Sequence, residues 1–246
     1  VVYIIIDKEV FMELTKRLLM VADLVPVSES IADIGTDHAY IPIYLFLKNK
    51  IKHAIASDIH KGPLTMAETH IKYYGLESHI EARLGAGLSA LKKEECEGVV
   101  IAGMGGLMIR NILQESSTIA NSLSWAVLQP MNHASDLRIW LTQNGWKIVK
   151  EKLAKEDKHI YEAMYVIHGN MELPSELLAE IGVTEERKQD SLFGLHIEKL
   201  MAHKKKVIKG IPSNTMNKLN KEKREKAIKE LMELEAFLCQ LKLKNS

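Results

Sequence analysis

The sequence predicts an α/β protein: a doubly wound, mostly parallel sheet of seven strands, followed by a helical hairpin. Three observations carry that reading. Short apolar segments alternate with amphipathic helical stretches from residue 31 to 144, the pattern of successive βα units with right-handed crossovers. Two more β-leaning segments, 147–153 and 161–167, flank the polar turn Lys155-Glu156-Asp157-Lys158 and read as an antiparallel hairpin that completes the sheet. Beyond residue 190, apolar seams recur in steps of 4, 3, 4 and 3, the spacing of two helices packed side by side.

The elements follow in order. Residues 1–6, VVYIII, are too few for a membrane span and lack a basic flank or cleavage-like site, so they read as a short strand or a lead-in. Residues 7–25 read as one helix, with Val10, Leu14, Leu18, Val21 and Val25 at helical spacing and Pro26 as its stop. Arg17 lies on it, two turns before the stop, where residue type alone favours a solvated side chain. The stretch IADIGTDHAYIP (31–42) is a buried strand, a tight turn and a helix start, the helix running over 39–48. A second strand over 53–59 carries Asp58 at its end, and a helix over 62–74 holds Pro63 in its first turn. The third strand, 80–85, runs into Gly85-Ala86-Gly87-Leu88. The fourth, 98–104, is apolar throughout, as a strand covered on both faces must be, and breaks into Gly103-Met104-Gly105-Gly106. The fifth, 125–128, ends in Gln129-Pro130-Met131-Asn132, and a helix over 135–144 stops at Gly145. Pro174 and Gly182 punctuate a linker. The last two helices carry the seams Phe193, Ile197, Leu200, Lys204, Val207 and Ala227, Leu231, Leu234, Leu238, Leu241, with Gly210, Pro212 and Ser213 turning between them.

Composition bounds the chemistry. The 246 residues, 46% hydrophobic, suffice for a large α/β domain plus a small one. No apolar run reaches the length of a membrane span. Cys96 and Cys239 are far apart and form no CxxC, which speaks against a disulfide framework or zinc ribbon and for a reducing cytoplasm. The net charge of +1 says nothing about a polyanionic partner, but residues 170–246 hold 15 basic against 12 acidic side chains, with the basic ones bunched.

In a doubly wound sheet, ligands bind beyond the carboxyl ends of the strands. The turns at Asp33 to His38, Asp58, Ala86-Gly87, Gly103 to Gly106 and Gln129 to Asn132 all fall there. Gly35 lets backbone approach a ligand closely. Asp58, 23 positions after Gly35, suits a ribose diol as a bidentate acceptor, and suits a helix N-cap equally well. The second and third glycines of a dinucleotide fingerprint are missing, which disfavours NAD. A nucleoside donor without a pyrophosphate, S-adenosylmethionine, fits better.

Taken together, KRLLMVADLVP (16–26), ADIGTDHAYIP (32–42), SDIHKGPL (57–64), VIAGMGGLMI (100–109), LQPMN (128–132) and LRIWL (137–141) resemble the bacterial tRNA (adenine-22-N1)-methyltransferase family over nearly the whole chain. The resemblance implies a class I S-adenosylmethionine-dependent methyltransferase domain with a Rossmann-like sheet over residues 1–169, and a coiled-coil-like helical domain over 170–246 that grips tRNA. It implies donor contacts from Asp33, Ile34, Gly35, His38, Asp58, Ile59, Ala86, Gly87, Gly103 and Met104, with Arg17 beside them. Asp37, Gln129 and Asn132 would face the target base and carry the chemistry, and Tyr40 or His38 would stack on that base. Tyr40 also reads as an ordinary core residue of its helix. Lys204, Lys205, Lys206 and Lys209 would meet tRNA phosphates, continued by Lys221, Lys223, Arg224, Lys226 and Lys229; such a charge run is equally a solvated helix face. Two positions depart from the family pattern: Ala86 replaces the acid of a Gly-Asp-Gly loop, and Met131 stands where Asn follows Gln-Pro, with Asn132 next along. No metal, no membrane and a monomer or weak homodimer are expected. The competing readings are a small-molecule methyltransferase with a dimerising tail, and an RNA-binding homologue without turnover.

Overall fold

The computed structural model describes residues 2–6, 9–215 and 217–244. They form two compact units, Val1–Leu173 and Pro174–Ser246.

The first unit opens with a two-stranded antiparallel ribbon, β1 (Val2–Ile6) and β2 (Glu9–Glu13). Here the expected helix over 7–25 is corrected. Residues 7 and 8 lie outside the described residues; Glu9–Glu13 is strand because β1 supplies its hydrogen-bonding partner; and the helix, α1, spans only Lys16–Leu24. Thr15 starts it, its side chain accepting a hydrogen bond from the Leu18 N–H at 3.4 Å.

The βα units then follow: β3 (Ser28–Ile34), α2 (Tyr40–Leu47), β4 (Ile51–Asp58), α3 (Lys61–Tyr73), β5 (Ile80–Leu84), a 3₁₀ turn (Gly87–Ala90), β6 (Gly98–Met104), α4 (Gly106–Glu115), the short α5 (Ser117–Ala120), β7 (Trp125–Pro130) and α6 (Ala134–Gln143). The hairpin of β8 (Trp146–Glu156) and β9 (His159–His168) finishes the unit. The seven strands lie in the order β5-β4-β3-β6-β7-β9-β8, all parallel except for β9, which runs antiparallel to both of its neighbours. The seven-stranded sheet expected from the alternation is therefore present. Its central strands are dry: Ile31, Ala32, Val99, Val100, Ile101, Ala126, Val127 and Leu128 are all buried, which is why these segments read as continuous apolar runs rather than alternating ones. The switch in strand order falls between β3 and β6, and the crevice at that point opens beyond their carboxyl ends.

Away from the crevice, Arg138 of α6 is fully buried and paired with Glu151 at 2.7 Å and with Glu162, bracing the closing hairpin. A charge in that position is tolerated because both carboxylates compensate it.

In the second unit, the stretch expected to be a linker is folded. Ser175 caps α7 (Glu176–Ile181) and Thr184 caps α8 (Glu185–Lys188), each side chain accepting a hydrogen bond from the amide three residues on. Arg187 is buried and donates from Nε to the Ile181 carbonyl at 3.1 Å. Two long helices, α9 (Phe193–Gly210) and α10 (Lys218–Lys244), run antiparallel, since Phe193 meets Phe237 while Lys204 meets Glu230. Ile181, Phe193, Ile197, Leu234 and Leu238 form the core between them. Among the described residues, no helix is long and apolar enough to cross a membrane.

Candidate active site

Two hollows adjoin at the carboxyl rim of the sheet. The larger, about 560 Å³, is lined from the end of β3 and its turn by Ile34 and Gly35, from the end of β4 and its turn by Asp58, Ile59 and His60, from the loop after β5 by residues 85–88, from β6 by Ala102, Gly103 and Met104, and from α4 by Met108, Ile112 and Glu115, with Ser116 beyond. The smaller, about 230 Å³, is lined by Arg17, Leu18, Asp33, Gly35, Thr36, Asp37, Tyr40, Ile41, Ala102 and Gly103. Gly35, Ala102 and Gly103 belong to both walls.

Two glycines make this junction possible. Gly35 has φ +73°, and a Cβ there would stand 2.2 Å from the Met104 methyl. Gly103 has φ +79° and falls where the β6–β7 register slips between Ala102 and Met104. It is a bulge residue in a conformation that only glycine adopts without strain. Its freed N–H donates to Gln129 Oε1 at 3.1 Å. The same oxygen accepts from Arg17 Nη1 at 2.9 Å, while Gln129 Nε2 donates to the Pro130 carbonyl at 2.9 Å. One buried amide thus fixes both the bulge and the arginine.

The turn after β3 is built under strain. Asp37 and Ala39 are left-handed at φ 54° and 58°, costing on the order of 1–2 kcal/mol each. Two hydrogen bonds brace it: the Gly35 and Thr36 N–H groups both donate to the Ser57 carbonyl, at 2.8 and 2.9 Å. Asp33 is buried at the foot of the turn and accepts from Thr36 Oγ at 2.7 Å. Desolvation pushes its carboxyl up to about 7, with the nearby Asp58 charge adding to the rise and the Thr36 hydrogen bond opposing it. Asp58 Oδ1 accepts from the His60 N–H at 2.8 Å, and Oδ2 carries no hydrogen bond among the described residues. The N-cap position of α3 is His60, whose side chain makes no capping hydrogen bond, so Asp58 is not the cap of that helix.

The family model of a methyltransferase domain matches residues 14–164. A tRNA (adenine(22)-N(1))-methyltransferase of Bacillus subtilis is 38% identical over 159 residues, 65% of this chain and 67% of that protein. The solved structure of the Bacillus subtilis m1A22 tRNA methyltransferase superposes with a TM-score of 0.81 at 30% identity, covering 92% of this chain and 99% of the other. A Streptococcus pneumoniae protein described as a candidate tRNA (m1A22) methyltransferase, solved in complex with S-adenosyl-L-methionine, gives a TM-score of 0.81 at 30% identity, covering 92% and 100%. The chain belongs to the tRNA (adenine(22)-N(1))-methyltransferase family.

Against the residues that family resemblance singled out, the larger hollow gathers Ile34, Gly35, Asp58, Ile59, Ala86, Gly87, Gly103 and Met104. The smaller gathers Arg17, Asp33, Asp37 and Tyr40. Arg17 is not the solvated side chain its residue type suggested: it is half-buried, bonded to Gln129, and its guanidinium lies 5.7 Å from the Tyr161 ring centre. His38 lines neither hollow. It stacks behind Tyr40 at 5.0 Å between ring centres, Tyr40 stacks in turn on His70 at 5.2 Å, and His70 Nδ1 sits 3.0 Å from the His38 carbonyl.

The turn after β7 departs most from expectation. Gln129 is 0% exposed and its amide is engaged on both sides, so it positions other groups and does not face a base. Asn132 lines neither hollow; it is exposed, with Oδ1 against Gly105 and its carbonyl accepting from the Gly106 N–H at 2.9 Å. Of the five convergent turns, four line the larger hollow, and the fifth supports it through Gln129.

Sequence reasoning missed Met108, Ile112 and Glu115. Their spacing on α4 was a usable signal, since it puts all three on one helix face next to the glycine turn. In the helical unit, Lys204 is corrected as well. Its side chain is 13% exposed and held by Glu180 at 3.0 Å and Glu230 at 2.9 Å. Lys205 pairs with Glu235 at 3.2 Å, while Lys206 and Lys209 are exposed.

Proposed function

We propose that the protein transfers a methyl group from S-adenosylmethionine to N1 of adenine 22 in tRNA, the reaction its Bacillus subtilis relative is named for. The observation that carries this reading is the pair of hollows that meet across Gly35 and Gly103, one sized for a nucleoside and the other small, polar and open to Asp37.

The larger hollow fits the donor. Asp58 Oδ2 is an acceptor still to be used at its rim, as a ribose diol requires. Ile59 and Met108, 60% and 57% exposed, offer apolar faces to a purine. On the smaller side, Asp33 supplies carboxyl oxygen for the donor's amino group and Arg17 a guanidinium for its carboxylate. Bound S-adenosylmethionine supplies an electrophilic methyl group.

The remaining work is placement. Neutral adenine N1 already carries an in-plane lone pair, so no proton leaves before the N1–carbon bond forms, and no general base is needed. The ring becomes cationic as that bond forms, and the Asp37 carboxylate on the wall of the smaller hollow favours that charge. N1 lies on the pairing edge, so the nucleotide must be drawn out of its stack. Tyr40, steadied by His38 and His70, whose rings are 5.4 Å from each other and 5.0 and 5.2 Å from its own, offers it a ring to lie against. Gln129 and His38 act as positioning residues.

Residues 170–246 would grip the tRNA, with exposed Lys206, Lys209, Lys221, Lys223 and Lys226 meeting phosphates. The cytoplasm, where tRNA is met, suits two free cysteines, one of them buried.

The reading is tested by incubating the protein with the methyl donor and an unmodified tRNA transcript, then mapping modified nucleosides. N1-methyladenosine at position 22, absent from a transcript with guanine there, is expected. Methylation at another position, or of no tRNA at all, would contradict it.

A further inference from the structure

The larger hollow contains a second carboxylate for which the proposed reaction has no stated use. Of the side chains lining it, Asp58 and Glu115 are the acidic ones. Glu115 ends α4, and its carboxylate takes no hydrogen bond or ion pair among the described residues. Ile112, three positions earlier on the same helix face, packs against the loop after β5: a Cβ on Gly87 would lie 3.1 Å from Ile112 Cγ2. That contact seats α4 on the loop, so Glu115 and Ser116 share a wall with Ala86, Gly87 and Leu88. The loop itself, Gly85-Ala86-Gly87, brings no acid.

A carboxylate only accepts hydrogen bonds. With Asp58 given to the diol, an unpaired acceptor elsewhere on the same wall favours a base that directs N–H outward and disfavours one that directs a carbonyl there. We infer that Glu115 is a specificity-determining residue for the donor, accepting a hydrogen bond from the exocyclic amine of its adenine. This rests on the reading of the larger hollow as the donor's seat.

The test is calorimetric titration with S-adenosylhomocysteine and with S-inosylhomocysteine, in which a carbonyl replaces the amine. The wild-type protein is expected to favour the adenine compound by about tenfold or more, the scale of one charge-assisted hydrogen bond. Glu115→Ala is expected to lose most of that preference by weakening S-adenosylhomocysteine alone. Glu115→Gln, whose amide also donates, is expected to shift preference toward the inosine compound. Glu115 is exposed at a helix end, and unchanged circular dichroism and melting would show that both variants fold. Wild-type preference retained in both variants would overturn the inference and leave the donor seat standing. A wild-type protein that binds neither compound would overturn the donor seat itself.

Discussion

Asp33 shows how much of the site rests on single residues. Its burial, helped by the nearby Asp58 charge and opposed by the Thr36 hydrogen bond, keeps the carboxyl neutral in the fold up to about 7, whereas its ordinary value is 3.8. Between those values the unfolded chain has released a proton that the folded chain retains. Stability therefore falls as pH rises across that window, and the whole cost is present above it. Asp33→Asn keeps an acceptor for Thr36 and removes the titration. Denaturant melts are expected to show the variant more stable than wild type by on the order of 2–4 kcal/mol near pH 8, with the gap closing near pH 4. The same variant is expected to bind S-adenosylhomocysteine more weakly, since the carboxyl oxygen meant for the amino group is gone. A variant with the pH profile of the wild type would show that the carboxyl is already ionised in the fold. Asp33, Gly35 and Asp58 were legible in the sequence because their types and spacing announce their chemistry. Gln129 was legible as part of the rim but not as a buried clamp, because only the fold brings Arg17, 112 positions away, to its oxygen.

At the scale of elements, the sheet was legible almost to its ends, because a strand buried on both faces can be written only with apolar residues. The ribbon before it was not. Val10 and Leu14 fall at helical spacing, but residues 9–13 take their conformation from pairing with β1, a contact outside any local window. Thr15, the cap that starts α1, was the local sign that the helix begins later. The tail offers the clearest conflict between two local signals. Lys204 belongs to a run of three lysines that reads as a phosphate-binding face, and also to the step-4, step-3 seam that reads as buried. The seam prevailed, with Glu180 and Glu230 compensating the charge. Lys204→Met is therefore expected to leave Glu180 without its cation, Glu230 keeping Lys226 at 3.7 Å, and to cost about 1–3 kcal/mol in thermal melts. Lys206→Glu with Lys209→Glu, both exposed, is expected to leave the melt unchanged while weakening tRNA binding and flattening its salt dependence. Equal tRNA affinity for that double variant at moderate salt would remove Lys206 and Lys209 from the interface.

For the molecule as a whole, the chain devotes one unit to a rim where five turns meet and another to a charged helical hairpin. What the sequence could not specify was the division of the rim into two adjoining hollows, which depends on the bulge at Gly103 and the thioether of Met104 lying over Gly35. The central claim is that a sulfonium nucleoside and a target base meet across those two glycines. A crystal structure with S-adenosylhomocysteine tests this most directly. The adenosine is expected in the hollow lined by Asp58, Ile59 and Glu115, with the sulfur at the Gly35–Gly103 junction facing Asp37 and Tyr40. Density for the ligand at the opposite rim, in the hollow lined by Ser30, His53 and Glu95, or a sulfur pointing away from Asp37, would contradict it.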